Sequence, residues 1–156
     1  MLVQDMFEIE NGILTAYLGQ DADIQIPEGL EEIGEYAFHR CHDLKEMIFP
    51  KSMISVGSHA FLYCDGLKKV VLEGPEHLET AVFSHNMSLE EISLNKNLDD
   101  SNFAEEVFEG CVCLRKISLS GEVFEVSNLI ETIDSRSEYP KIIKSIARSV
   151  FHSLSL

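Results

Sequence analysis

Apolar residues recur along this chain in blocks of about 23 residues, a period in the range of stacked leucine-rich coils. Residues 24–46, IQIPEGLEEIGEYAFHRCHDLKE, align without a gap on residues 47–69, MIFPKSMISVGSHAFLYCDGLKK. The two blocks share Pro27/Pro50, Gly34/Gly57, Ala37/Ala60, Phe38/Phe61, Cys41/Cys64, Leu44/Leu67 and Lys45/Lys68. A third copy at 70–91 is one residue shorter, and a fourth at 92–116 is two residues longer. A fifth begins at Ile117 and then loses the pattern. Between copies the apolar positions hold while their neighbours change. One column is Ile24, Met47, Val70, Ile92 and Ile117, and a second, two residues on, is Ile26, Phe49, Leu72, Leu94 and Leu119. A two-residue spacing places both on one face of a strand, so each copy is expected to open with a short strand. The remaining columns are Phe38, Phe61, Phe83, Phe108 and Leu44, Leu67, Leu89, Leu114. A single coil cannot hide its own apolar edge, but the next coil stacked about 4.8 Å away does. The expected fold is an α/β solenoid with a short parallel β-ladder.

A solenoid has to be closed at both ends. The apolar runs MFEIE and ILTAYL flank Asn11-Gly12, the turn pair that favours two successive left-handed residues, so residues 6–18 are read as a capping β-hairpin. At the other end, Asn128 to Ser137 is polar and turn-prone around Ile130 and Ile133, and Pro140 suits a first helical turn. Ile142, Ile143, Ile146, Ala147, Val150, Phe151 and Leu154 then follow helical spacing. This amphipathic helix is expected to close the last coil. The alternative is that residues 138–156 dock elsewhere or mediate self-association in a structural or assembly role.

These residues resemble a known family. IPEGLEEIGEYAFHRCHDL at 26–44 is similar to the IPxxVxxIGxxAFxxCxxL pattern of the BspA-type, or Treponema-type, leucine-rich repeats, and FPKSMISVGSHAFLYCDGL at 49–67 repeats it. FEIENGILTAYLG resembles the segment that often precedes such repeats. The resemblance covers roughly residues 7–121. It implies leucine-rich-repeat coils and a bacterial, surface or secreted protein that acts by binding, including adhesion, to a protein or glycan.

At 156 residues the chain fits one domain, 1–156, divided into an N-terminal cap (1–23), repeats (24–121) and a C-terminal cap or docking helix (122–156). It carries 27 Asp and Glu against 12 Lys and Arg, a net charge of −15, which repels a nucleic-acid backbone. The exception is the tail, where Arg136, Lys141, Lys144 and Arg148 outnumber Glu131, Asp134 and Glu138. No apolar run approaches the roughly 20 residues of a membrane-spanning helix. The opening MLVQDM places Asp5 where an export signal needs a basic and then an apolar stretch, so the sequence as written predicts no signal peptide.

No catalytic, cofactor or metal residues are assigned, and the chain is not expected to be an enzyme. Cys41, Cys64 and Cys111 share one repeat position, which Asn86 fills in the third copy, so a repeated inward packing role explains them. A disulfide from Cys41 to Cys64 stays open and requires suitable Cβ directions. Cys113 stands apart in a Cys-Val-Cys run that lacks the spacing of a zinc site. His39 and His42 flank Cys41, but Leu62 and Asp65 replace them in the second copy, as solvated variable positions would allow. Ser58-His59 and Ser84-His85 lack an orienting acid and an oxyanion site. The pairs Glu31-Glu32, Glu90-Glu91, Asp99-Asp100 and Glu105-Glu106 are expected on a solvated surface. Asp99-Asp100-Ser101-Asn102 marks the insertion of the fourth coil and lacks calcium-loop spacing.

If the two strand columns point inward, the residue before them and the one between them point out. The outward rows are Gln25; Glu46 and Ile48; Lys69 and Val71; Glu91 and Ser93; Lys116 and Ser118. An outward parallel ladder is unusual unless something covers it, so these residues are the candidate partner-binding ribbon. Ile48 and Val71 form its apolar centre, with Glu46 and Lys69 as a polar rim.

Overall fold

The structure is a computed structural model that describes residues 3–72, 74, 77–94, 106–129 and 141–153. A 3-10 turn at Val3–Met6 leads into β1 (Phe7–Glu10) and β2 (Ile13–Tyr17). They pair antiparallel around Asn11 and Gly12, whose φ values of 52° and 79° are the two left-handed positions a type I′ turn demands. The first coil then supplies β3 (Asp23–Gln25) and β4 (Glu32–Ile33), the second β5 (Glu46–Ile48) and β6 (Ser55–Val56), and the third β7 (Lys69–Leu72) and β8 (His77–Leu78). After β9 (Glu91–Leu94) come β10 (Lys116–Leu119), β11 (Glu122–Glu125), α1 (Val126–Leu129) and α2 (Lys141–Ser153).

The expected strands are present, and they form one six-stranded sheet in the order β11-β10-β9-β7-β5-β3. It is parallel from β3 to β10, with Met47 opposite Val70 and Val70 opposite Ile92. Two features go beyond the sequence reading. A second ladder, β1-β2-β4-β6-β8, runs through Ile33, Val56 and Leu78, all buried. The N-terminal hairpin joins this second ladder, with β2 parallel to β4, and leaves β3 as the edge strand of the six-stranded sheet. At the far end, Ser120 and Gly121 (φ 50° and 89°) turn β10 back into the antiparallel β11, so the segment after the fifth copy begins as a hairpin.

Between the two ladders runs a file of rings. Tyr17 stacks on Phe38 at 5.3 Å, Phe38 on Phe61 at 4.7 Å, Phe61 on Phe83 at 5.2 Å and Phe83 on Phe108 at 5.5 Å, with interplanar angles of 21° or less. Phe49 meets Phe61 edge-on at 5.6 Å. The four phenylalanines of the file are at most 1% exposed. Parallel rings at this separation contribute about 0.5–1.5 kcal/mol each beyond the burial of their area.

The cysteine position works on the same file. Cys64 Sγ donates to the carbonyl of Phe38 at 3.0 Å, and Cys111 Sγ donates to that of Phe83 at 3.2 Å. In the copy that lacks a cysteine, Asn86 Nδ2 donates to both Phe61 (2.9 Å) and Phe83 (2.7 Å). For Cys64, Asn86 and Cys111 the inward packing role inferred from the repeat is therefore a hydrogen bond to a phenylalanine carbonyl of the coil before. The repeat glycine also has a local reason: a Cβ on Gly57 would lie 2.8 Å from the Glu35 nitrogen and 3.0 Å from the Ile33 carbonyl oxygen.

The helical spacing predicted after Pro140 is borne out by α2, and its apolar stripe, Ile142, Ile143, Ile146, Ala147 and Val150, is buried in the same core as the coils. A shallow hollow lined by Glu106, Glu109, Arg148 and Ser149 lies between this helix and the turn of the fourth coil. Ile130, Ile133, Pro140, Leu154, the Asp99–Asn102 insertion and the side chain of Phe151 lie outside the described residues.

Truncating a ring in the middle of the file opens a cavity with neighbours on both sides. Phe61→Ala is expected to lower unfolding stability by about 3–5 kcal/mol, measured by urea titration. Asn86→Ala removes the side-chain donor of the Phe61 carbonyl and one of the two on the Phe83 carbonyl, and is expected to cost about 1–3 kcal/mol, with Asn86→Cys recovering part of the loss because a thiol at this position reaches the carbonyl of the coil before it.

Candidate functional site

The pleat of the six-stranded sheet sends Ile24, Met47, Val70, Ile92 and Ile117 into the core and the residues on either side outward. Strand register then fixes two outward rows. One is Gln25, Ile48, Val71, Ser93, Ser118 and Val123; the other is Asp23, Glu46, Lys69, Glu91, Lys116 and Glu125. All nine ribbon residues named from the sequence fall on these rows in the expected order. Ile48 lies directly opposite Val71. Ile48 is 36% exposed and Val71 half-buried, so together they make a small apolar patch on an otherwise polar ribbon.

The second row is a line of alternating charge from Glu46 through Lys69, Glu91 and Lys116 to Glu125. Neighbouring strands bring these groups side by side, and Lys69 Nζ lies 4.0 Å from Glu46 Oε1. Arg115 extends the pattern, with Nη2 3.2 Å from Glu91 Oε1 and Nε 3.6 Å from Glu90 Oε2. The pair Glu90-Glu91 is thus bridged by one guanidinium. Such exposed pairs contribute little to stability individually, about 0–1 kcal/mol, but they fix the order of charges along the ribbon.

Three ribbon residues escaped the sequence reading. Asp23 is the period-related equivalent of Glu46, one residue before the strand column begins. Val123 (53% exposed) and Glu125 sit on β11, whose sequence, Glu-Val-Phe-Glu, does not alternate and whose signal was the Ser-Gly turn before it.

Other candidate groups go elsewhere. His42 Nδ1 faces Asp65 Oδ2 at 3.2 Å on the exposed turn edge. His39, whose pKa is lowered chiefly by desolvation and then by Arg40, His59 and His42, packs edge-on against Tyr36. Among the described residues no group of three or more His, Cys, Asp or Glu side chains could hold a metal ion. Ser84 Oγ and His85 Nδ1 do meet at 2.7 Å, and the imidazole lies against the Tyr63 ring at 5.1 Å. Among the described residues no helix is long and apolar enough to cross a membrane.

Fold and ribbon together define a leucine-rich solenoid that displays one face of a parallel ladder. A model of the BspA type leucine rich repeat region matches residues 17–130, in six copies, and the chain belongs to that family. Comparison with curated proteins gives no match. Among solved structures the chain is similar to the pneumococcal vaccine antigen PcpA, at 24% identity and a TM-score of 0.64 over 72% of this chain. It spans 28% of that protein. It is also similar to a leucine-rich repeat protein from Bacteroides capillosus, at 23% identity and a TM-score of 0.54, over 72% of this chain and 91% of the other. These likenesses show the fold.

Charge alternation along the ribbon has a measurable consequence. Lys69→Glu would place four carboxylates, at 23, 46, 69 and 91, on consecutive strands in register, and is expected to lower stability by about 1 kcal/mol at low salt. The loss should shrink at 0.5 M sodium chloride, where thermal unfolding of variant and parent should converge.

Proposed function

We propose that this chain is a non-catalytic, adhesion-like binding module that engages a protein or glycan partner through the outward ribbon. The observation that carries the reading is the apposition of Ile48 and Val71 on the open face of a parallel ladder, a face that most parallel sheets bury under helices. An apolar centre with Glu46, Lys69 and Glu91 around it has the layout of a small contact site: desolvation at the middle, charge-defined register at the rim. Membership of the BspA-type family supports a repeat-based binding role, and the similarity to a vaccine antigen supports display at the cell surface or secretion. Self-association through residues 138–156 has less support, because the apolar stripe it would use is turned into the chain's own core.

The ribbon can be tested without disturbing the fold, since both side chains point away from the core. Ile48→Lys with Val71→Glu, which sets opposite charges across from each other, is expected to reduce capture of the partner from host or bacterial extracts at least tenfold while thermal unfolding stays close to the parent. Protease and periodate treatment of the extract then separates a protein ligand from a glycan. Unchanged capture by the double variant would remove the ribbon as the contact surface.

A further inference from the structure

The cysteine column contains one place where two thiols occupy successive coils. Cys41 and Cys64 sit at the same repeat position, whereas Cys111 has Asn86 as its neighbour on the preceding coil. The two turns are held in register by backbone hydrogen bonds from Phe38 to Ala60 (2.7 Å) and from Arg40 to Leu62 (2.9 Å). Cys64 Sγ and the backbone nitrogen of Cys41 converge on one acceptor, the Phe38 carbonyl, at 3.0 and 3.2 Å. Side chains at equivalent positions of adjacent, register-matched turns fall within the span that a disulfide bridges.

We propose that Cys41 and Cys64 form a redox pair that closes a reversible disulfide between the first and second coils when the protein meets a low-molecular-weight disulfide. The two thiols differ in a way that assigns their roles. Cys41 is half-buried and reachable from solvent, while Cys64 is fully buried. The neighbouring Cys64 side chain lowers the Cys41 thiol below its ordinary pKa, while the Cys41 side chain and burial push Cys64 up. Cys41 is therefore the attacking group and Cys64 the resolving one.

In the first step the Cys41 thiolate attacks one sulfur of the small disulfide and expels the other half as a thiolate. In the second, Cys64 loses its proton and attacks the Cys41 sulfur, expelling the remaining half. The net change is two protein thiols and one small disulfide converted to one protein disulfide and two small thiols. Closing the bond removes the hydrogen that Cys64 gives to Phe38, so the pair exchanges a weak contact in the column for a covalent tie between coils.

The experiment uses the full chain carrying Cys113→Ser, which removes the exposed thiol. The protein is incubated with oxidised glutathione, quenched in acid, unfolded and alkylated, then mapped by mass spectrometry. The expected result is a mass loss of about 2 Da, a linked peptide joining Cys41 to Cys64, a single alkylated thiol at Cys111, and full reversal by a reductant. Adding Cys64→Ser should instead accumulate the glutathione adduct on Cys41, and adding Cys41→Ser should leave Cys64 reduced. Two results overturn the proposal: a stable glutathione adduct on Cys41 while Cys64 is still present and free, or links that join Cys111 as readily as Cys64. The parent mapping decides the matter even where a serine variant folds poorly.

Discussion

One constraint underlies the molecule: each coil must hand its aromatic ring to the next. No coil of about 23 residues has enough surface to enclose a phenylalanine by itself, and the ring is covered only when another lies on each side of it. Tyr17 begins the file from the N-terminal hairpin, and Phe38, Phe61, Phe83 and Phe108 continue it. The ladders on either side follow from this, because rings spaced by one coil require strands spaced by one coil. Stability is consequently a nearest-neighbour property, greatest for a change in a middle coil and smaller where one neighbour is missing.

Holding those rings in line puts the backbone under local strain. Residues two before and two after each phenylalanine are left-handed: Tyr36 and Arg40, His59 and Tyr63, Ala81 and His85, Glu106 and Gly110, with φ between 57° and 78°. Only Gly110 adopts this region without cost, and each of the others costs about 1 kcal/mol or more. The return is hydrogen bonding, since this conformation aims every second N–H group at the following coil. Tyr36, Phe38 and Arg40 donate to Ser58, Ala60 and Leu62, and His59, Phe61 and Tyr63 donate to Thr80, Val82 and Ser84. Each turn thus becomes a third ladder in which buried amides are satisfied from coil to coil. A thiol or amide at the cysteine position then occupies the phenylalanine carbonyl from the side.

The repeat columns made the main sheet, the ring file and the ribbon legible from sequence, because inward positions tolerate little change and so betray their period. The second ladder was not legible. Its coil strands β4, β6 and β8 are two residues long, and Ile33, Val56 and Leu78 read as isolated apolar residues within a turn. Left-handed residues were hidden for a different reason: the usual marker is glycine, and here tyrosine, arginine, histidine, alanine and glutamate stand in its place. The cysteines were recognised as a column, but the acceptor they serve is a carbonyl of another coil, which has no signature in side-chain identity. For the candidate site, the outward rows followed from the inward ones by alternation, whereas Val123 and Glu125 depended on a chain reversal that breaks the repeat.

The two ends of the six-stranded sheet bear on the proposal that its face carries the contact. At one end β11 pairs antiparallel with β10, which stops further parallel growth. At the other, β3 is an edge, yet it is three residues long and carries Asp23, both features that discourage pairing with a foreign strand. Backbone pairing at the β3 edge is thereby discouraged. A partner seeking side chains finds Ile48 opposite Val71 with charges of alternating sign beside them, on strands whose spacing is fixed by the ring file beneath. The same packing that hides the phenylalanines thus sets the distances at which the ribbon presents its groups, and a ligand complementary to those rows would read the coil spacing directly.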